Sequence, residues 1–76
     1  MRLDVEVVFI NNDAETVTRT VCRVQAIEYS SMKLVTSADT TEELLLVRYI
    51  DERYSYYTVV WSADRVLAIK PYIVTE

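Results

Sequence analysis

The absence of glycine is the feature that most constrains this chain of 76 residues. Glycine reaches positive φ without a steric penalty from Cβ, and many tight turns use it for that purpose. Every turn that needs positive φ must therefore use another residue, and we expect asparagine, aspartate or serine there. The residues NND at 11–13 meet this requirement, so we predict a turn that ends the first strand.

The chain has the length of one small domain, residues 1–76, and 51% of its residues are hydrophobic. A domain of this size hides only about 60% of the surface that its unfolded chain exposes, so its stability margin is small. Cys22 is the single cysteine and cannot form an internal disulfide, and without histidine there is no Cys/His set for zinc. Oligomerisation is another common supplement to a small core, so we expect a homo-oligomer.

Catalytic side chains are scarce in this sequence. There is no histidine to act as an acid or base near neutral pH or to activate Cys22, which we expect to pack inside a strand. The carboxylate pairs Glu42–Glu43 and Asp51–Glu52 are sequence neighbours, and neighbouring side chains in a strand point to opposite faces. We therefore expect no enzyme activity, no catalytic residue, no cofactor and no metal site.

The charge balance bears on the partner. Twelve acidic and eight basic residues give a net charge of −4, which disfavours nucleic acid, because that binding depends on lysine and arginine neutralising phosphates. The N-terminus lacks the continuous apolar segment of a signal peptide, and the apolar run Leu44 to Val47 is far too short to span a bilayer. With a single thiol, these features favour a cytoplasmic protein with no membrane contact.

Alternation of apolar and polar residues predicts extended structure in the first half of the chain. Leu3 to Ile10 has the period of a strand, with Asp4 and Glu6 on its polar face. Thr16 to Tyr29 is rich in threonine and valine, but its apolar positions change from odd to even partway along. Such a phase change indicates a bulge or sharp bend. The residues YSSM at 29–32 then suggest a turn into a short strand, Met32 to Thr36.

Two structures are compatible with the sequence DTTEELLLVRYIDERY at residues 39–54. A helix over about residues 40–54 would be capped by Asp39 or Thr40 and would make the fold α+β. A hairpin would instead pair Leu44 to Ile50 with Tyr54 to Trp61, whose sequence is almost entirely β-branched or aromatic. We favour the hairpin and an all-β fold, because a bent five-strand meander then accounts for the chain without long loops.

A closing element is visible from Tyr57 to Pro71. Ser62 could cap one helical turn at residues 62–65, Val66 to Lys70 would form a short strand, and Pro71 would stop it. A hairpin, one helical turn and a closing strand, in that order, resemble the end of SH3-like and Sm-like small barrels. The resemblance implies an SH3-like barrel as the architecture and implies no function.

The aromatic run RYIDERYSYYTVVW at residues 48–61 holds four of the six tyrosines and the only tryptophan. If Ile50 lies opposite Ser55, both faces of the hairpin are apolar, and a three-residue turn regroups the second arm with the same result. A chain this short cannot comfortably cover both faces, so one face is expected to meet a partner. We assign Trp61 and Tyr57 to the core. The predicted contact residues are Arg48, Tyr49, Arg53, Tyr54 and Tyr56.

These features predict a non-catalytic protein–protein interaction module that self-associates, binds another protein, or does both. Its size, acidity and lack of catalytic groups are typical of many small inhibitors and adaptors of bacteria and their phages. The alternative is binding of a nucleotide or single-stranded nucleic acid, with tyrosine rings stacking on bases and Arg48 and Arg53 reaching phosphate. A third possibility is that the tyrosines have no binding role and either fill the core or lie on an exposed sheet face.

Overall fold

The computed structural model describes residues 1–33 and 41–75, and nearly all of them lie in strands. The predicted all-β fold with one short helical turn is therefore confirmed. The favoured hairpin is present, and the alternative, a helix over residues 40–54, is wrong, because Thr41–Ile50 is a strand that pairs with β5; residue 40 lies outside the described residues. The elements, in chain order, are β1 (Arg2–Ile10), β2 (Thr16–Val21), β3 (Val24–Lys33), β4 (Thr41–Ile50), β5 (Tyr56–Ser62), a 3-10 turn (Ala63–Arg65) and β6 (Val66–Val74).

The strands form two antiparallel sheets of three strands each. Sheet A has the order β2-β1-β6, and sheet B has the order β3-β4-β5. The 3-10 turn carries the chain from the edge of sheet B to the edge of sheet A. Among the described residues no helix is long and apolar enough to cross a membrane.

The core lies between the two sheets. It is built from the inward side chains of both, and Trp61 is the largest of them, its ring centroid 5.7 Å from that of Phe9. Alternation of apolar and charged residues from Leu3 to Val7 places Val5 and Val7 inward, as the sequence predicts. The buried apolar residues are Val5, Val7, Val21, Val24, Leu45, Val47 and Trp61.

The chain passes from sheet A to sheet B at Cys22 and Arg23, between β2 and β3. This break confirms the bend predicted inside Thr16 to Tyr29, and it gives the fold six strands where five were expected. Arg23 adopts φ 57°, and its backbone joins the sheets: its N–H donates to Asp4 Oδ1 at 3.3 Å. Its carbonyl accepts from the N–H of Ile50 at 3.2 Å.

Two other local predictions are wrong. The residues YSSM do not turn, because β3 continues through Ser30 and Ser31, which pair with Leu44 and Glu43 of β4; the strand predicted for Met32 to Thr36 lies partly outside the described residues. Pro71 does not stop the last strand, because β6 extends to Val74. Since β6 is an edge strand, a proline can be accommodated on its unpaired side.

The loops Asn11–Glu15 and Asp51–Ser55 close their hairpins with the same set of hydrogen bonds. In each loop the first side chain accepts from the backbone N–H groups two and four residues later, over 2.9 to 3.0 Å. The fourth residue has positive φ, 60° at Ala14 and 61° at Tyr54. This geometry is a type I turn followed by a bulge, in which glycine usually takes the fourth position. The turn at NND is confirmed, but for these two loops the prediction that Asn, Asp or Ser would adopt positive φ is wrong. Those residues act as side-chain acceptors instead.

Candidate functional site

The aromatic hairpin β4–β5 has a different register from the one first considered. Ile50 pairs with Tyr56, and Leu45 pairs with Trp61, so the prediction that Ile50 faces Ser55 is wrong. The bulge at Tyr54 adds a residue to the loop. The side chains of β5 are therefore distributed between the two faces of the sheet as a three-residue turn would distribute them. The register places Leu45, Val47 and Trp61 together on the inner face.

The inner face carries two tyrosines beyond the core. Tyr49 and Tyr57 stack with ring centroids 5.5 Å apart and planes 25° apart. Trp61 is buried as predicted, but the assignment of Tyr57 to the core is wrong, because its side chain is 47% exposed. It lies on the correct face but near the loop end, where the core stops. Its hydroxyl donates to Asp51 Oδ2 at 3.2 Å, and this hydrogen bond, followed by the charge of Asp51, raises the pKa of Tyr57.

The outer face of sheet B also carries exposed apolar side chains. Sheet A packs against the inner face, so it leaves this side uncovered. Val60 is 49% exposed and Tyr56 is 70% exposed, while the leucines between them are half-buried. Arg48 and Glu28 lie on the same face and are exposed. We call this surface the outer patch; it consists of Glu28, Leu44, Leu46, Arg48, Ile50, Tyr56 and Val60.

The structure divides the five predicted contact residues among three places. Arg48 and Tyr56 lie on the outer patch. Tyr49 points to the opposite side of the sheet, where it packs against the core and Tyr57. Arg53 and Tyr54 belong to the loop, and Tyr54 is 79% exposed. Because strand neighbours alternate between faces, Arg48 and Tyr49 cannot meet one ligand on a single sheet face.

An open cleft of about 560 Å³ lies between the end of β2 and the β4–β5 loop. Tyr49 and Arg53 line it, as do Arg19 and Arg23, which the sequence analysis did not single out. Only the crossing of the chain between sheets brings residues 19–23 beside residues 49–53. We call this the arginine cleft.

Cys22 also lines the arginine cleft. Its thiol is free and exposed, so the prediction that it packs inside a strand is wrong: the strand ends one residue earlier, at Val21. Partial desolvation, and then the neighbouring carboxylate of Asp4, raise the pKa of Cys22. The thiol is therefore held in its protonated, less nucleophilic form at neutral pH.

Asp4 is the buried charged residue of the described chain, with only 2% of its surface exposed. Arg2 donates to it from Nε at 3.1 Å and from Nη2 at 3.3 Å, and the N–H of Arg23 supplies a third hydrogen bond. Desolvation alone would raise the pKa of Asp4, but the Arg23 amide and the Arg2 guanidinium outweigh it and lower the pKa. Asp4 therefore stays ionised and anchors the chain crossing that forms one wall of the arginine cleft.

Comparison of the chain with protein-family models, with curated proteins and with solved structures finds no match. Within the described residues, no group of three or more Cys, Asp or Glu side chains is placed to hold a metal ion.

Proposed function

We propose that this protein is a non-catalytic interaction module that self-associates through the outer patch of sheet B. The observation that carries the proposal is the exposed apolar face around Val60 and Tyr56, which sheet A does not cover. Burial of such a face against a protein surface removes apolar area from water. Tyrosine suits this role, because its ring buries area with little loss of side-chain entropy and its hydroxyl tolerates water before docking.

Charge favours a second copy of the chain as the occupant. Arg48 pairs with Ala26, and Glu28 pairs with Leu46, so the two charges are diagonal neighbours on the outer patch. Within residues 1–33 and 41–75 no ion pair joins them. A twofold axis between them would bring Arg48 of each copy to Glu28 of the other. The patch is therefore complementary to itself in charge, which would offset the net repulsion of two acidic chains.

The absence of histidine supports a non-catalytic role. The carboxylate of Asp51, which heads the aromatic loop, is occupied by hydrogen bonds to the backbone and to Tyr57. Its role is to hold the loop, and its pKa is lowered chiefly by the N–H of Ser55.

The test is the absolute molar mass in solution, measured by light scattering over a range of protein concentrations. We expect twice the 8.9 kDa of one chain for the wild type. Val60→Glu should raise the dimer dissociation constant at least about tenfold, because it places an unpaired charge in an apolar contact. The matched control is Leu67→Glu, the same change at an exposed apolar residue of sheet A, which should leave the mass unchanged.

The double variant Tyr54→Ala with Tyr56→Ala should also weaken the dimer and keep the fold. Its control is Tyr29→Ala, an exposed tyrosine on the opposite face of sheet B. Circular dichroism checks the fold of each variant. A monomeric wild type, or equal effects of the Val60 and Leu67 variants, would overturn the proposal.

Salt separates self-association from the alternative, in which the rings and Arg48 hold a nucleotide or a single strand of nucleic acid. An apolar dimer changes little with ionic strength, whereas phosphate-driven binding collapses between low and moderate salt. Fluorescence anisotropy of a labelled oligonucleotide provides the second measurement. A monomer that binds the oligonucleotide at low salt and releases it at moderate salt would replace the dimer proposal with the alternative.

A further inference from the structure

Among the described residues, the lining of the arginine cleft has an excess of positive charge. Three of the six arginines of the chain, Arg19, Arg23 and Arg53, line this one cleft. Their guanidinium groups form no hydrogen bond or ion pair within the part of the chain that the structure describes. Arg2 and Arg65 differ: Arg2 pairs with Asp4, and Arg65 Nη1 donates to the carbonyl oxygen of Asn11 and to Asn12 Oδ1.

The acidic residues of the cleft do not cancel this charge. Asp51 and Glu52 are the carboxylates in its lining. Both oxygens of Asp51 accept hydrogen bonds: Oδ1 accepts from two backbone N–H groups of its own loop, and Oδ2 accepts from the Tyr57 hydroxyl of β5. The lining therefore carries three positive charges against two negative ones, in a chain with a net charge of −4.

The backbone holds one of these arginines in place at a conformational cost. Arg23 has φ 57°, which disfavours any residue with a Cβ by roughly 1–2 kcal/mol. The hydrogen bonds of its N–H to Asp4 and of its carbonyl to Ile50 maintain this conformation from both sheets. Residues held in such strained conformations often occupy binding sites, where the strain is part of a preorganised arrangement.

We propose that the arginine cleft binds a small phosphorylated ligand. Guanidinium groups match phosphate oxygens with paired hydrogen bonds, and several arginines around one cleft favour an oxyanion of multiple charge. The cleft volume of about 560 Å³ lies in the range of small-molecule sites. Tyr49, stacked on Tyr57, borders the cleft and supplies a ring edge or face for a flat group attached to the phosphate. The site does not depend on the dimer, because its arginines are not part of the outer patch.

Inorganic tripolyphosphate is the first probe, used with the full chain in isothermal titration at low ionic strength. We expect saturable binding with one site per chain. Arg19→Gln and Arg53→Gln, both at exposed positions, should each weaken binding about tenfold or more. The matched control is Arg65→Gln, which removes the same charge at an exposed position of the 3-10 turn, outside the cleft, and should leave the affinity unchanged within about twofold.

Cys22 provides an independent readout, because it is the only cysteine and it lines the cleft. Bound tripolyphosphate should slow alkylation of its thiol by a neutral maleimide, and Arg19→Gln should abolish that protection. Adenosine triphosphate is compared with tripolyphosphate in both assays. Tighter binding of the nucleotide would identify ring stacking on Tyr49, and equal affinity would identify the phosphate chain as the whole determinant.

Three results would overturn the proposal. The first is a lack of saturable binding of tripolyphosphate at low salt. The second is an equal loss of affinity for the Arg19 and Arg65 variants, which would show general attraction by charge without a site. The third is binding that leaves the alkylation rate of Cys22 unchanged, because the anion would then lie elsewhere.

Discussion

Replacement of Ala14 by glycine should make the protein more stable, although it removes a methyl group and increases the freedom of the unfolded chain. Ala14 is exposed and has φ 60° in the loop Asn11–Glu15. Its N–H donates to the carbonyl of Asn11 at 3.1 Å, so the conformation is held by the turn and not by contacts of the side chain. The substitution therefore isolates the backbone strain.

The magnitude follows from two opposing terms. Positive φ costs a residue with Cβ about 1–2 kcal/mol, and glycine avoids this cost. Glycine also loses more conformational entropy on folding, by about 0.5–1 kcal/mol relative to alanine. The difference is a gain of about 0–1.5 kcal/mol in the free energy of unfolding, with a midpoint of about 0.75 kcal/mol. For a domain of this size, 1 kcal/mol corresponds to roughly 4–8 °C in the melting temperature.

The assay is urea and thermal unfolding followed by circular dichroism, at one protein concentration for all variants. The matched control is Ala68→Gly in β6, where the residue is in an ordinary strand conformation. The same chemical change there should destabilise the protein by about 0.5–1 kcal/mol. The reasoning is refuted if Ala14→Gly lowers the midpoint as Ala68→Gly does, because the loop would then not require positive φ.

Two further predictions concern the aspartates that organise the backbone. Asp4→Asn should lower the urea midpoint at pH 7, because it removes the charged partner of Arg2 and weakens the anchor of Arg23. Since the pKa of Asp4 is lowered on folding, its ionisation stabilises the protein above the ordinary aspartate value of ~3.9, and this stabilisation is lost as the pH falls through the lower folded pKa. The midpoints of wild type and Asp4→Asn should therefore converge below about pH 4; a constant difference between them down to pH 2 would show that the charge of Asp4 is not involved. Asp51→Ala should lower the midpoint more than Asp51→Asn does, because asparagine keeps the acceptor oxygen, as Asn11 does in the equivalent loop. Equal midpoints for the two Asp51 variants would mean that the side-chain acceptor does not hold the loop.

Most of the fold could be predicted from local sequence patterns. The strand β5 was recognised because its residues up to Trp61 are β-branched or aromatic, and β1 because apolar and charged residues alternate in its first half. The bend at Cys22 and Arg23 was visible as a change of phase, because the side chains on the two sides of a bend point inward from different sheets. The alternative helix over residues 40–54 agrees with the helix propensity of these residues. Only the burial of Leu45 and Val47 against sheet A favours a strand, in which every second side chain faces the core.

The candidate sites were less predictable. The outer patch was foreseen as an excess of apolar surface, but its membership depended on register. The bulge at Tyr54 determines that register. The sequence did not predict the bulge, because tyrosine seldom adopts positive φ. The arginine cleft was not foreseen, because Arg19 and Arg53 are 34 positions apart in the sequence and meet only after the chain crosses between sheets.

The sequence by itself determined the all-β class, the placement of the hairpins and the existence of more apolar surface than one small core can hold. These properties depend on residues only a few positions apart in the chain: the alternation of apolar and polar residues favours strands, and the side chains in a turn stabilise that turn. Only the tertiary structure decided which aspartate is buried, which tyrosines are exposed and which arginines share a cleft. Those outcomes depend on register and on the packing of one sheet against the other, where residues distant in the chain compete for the same limited volume.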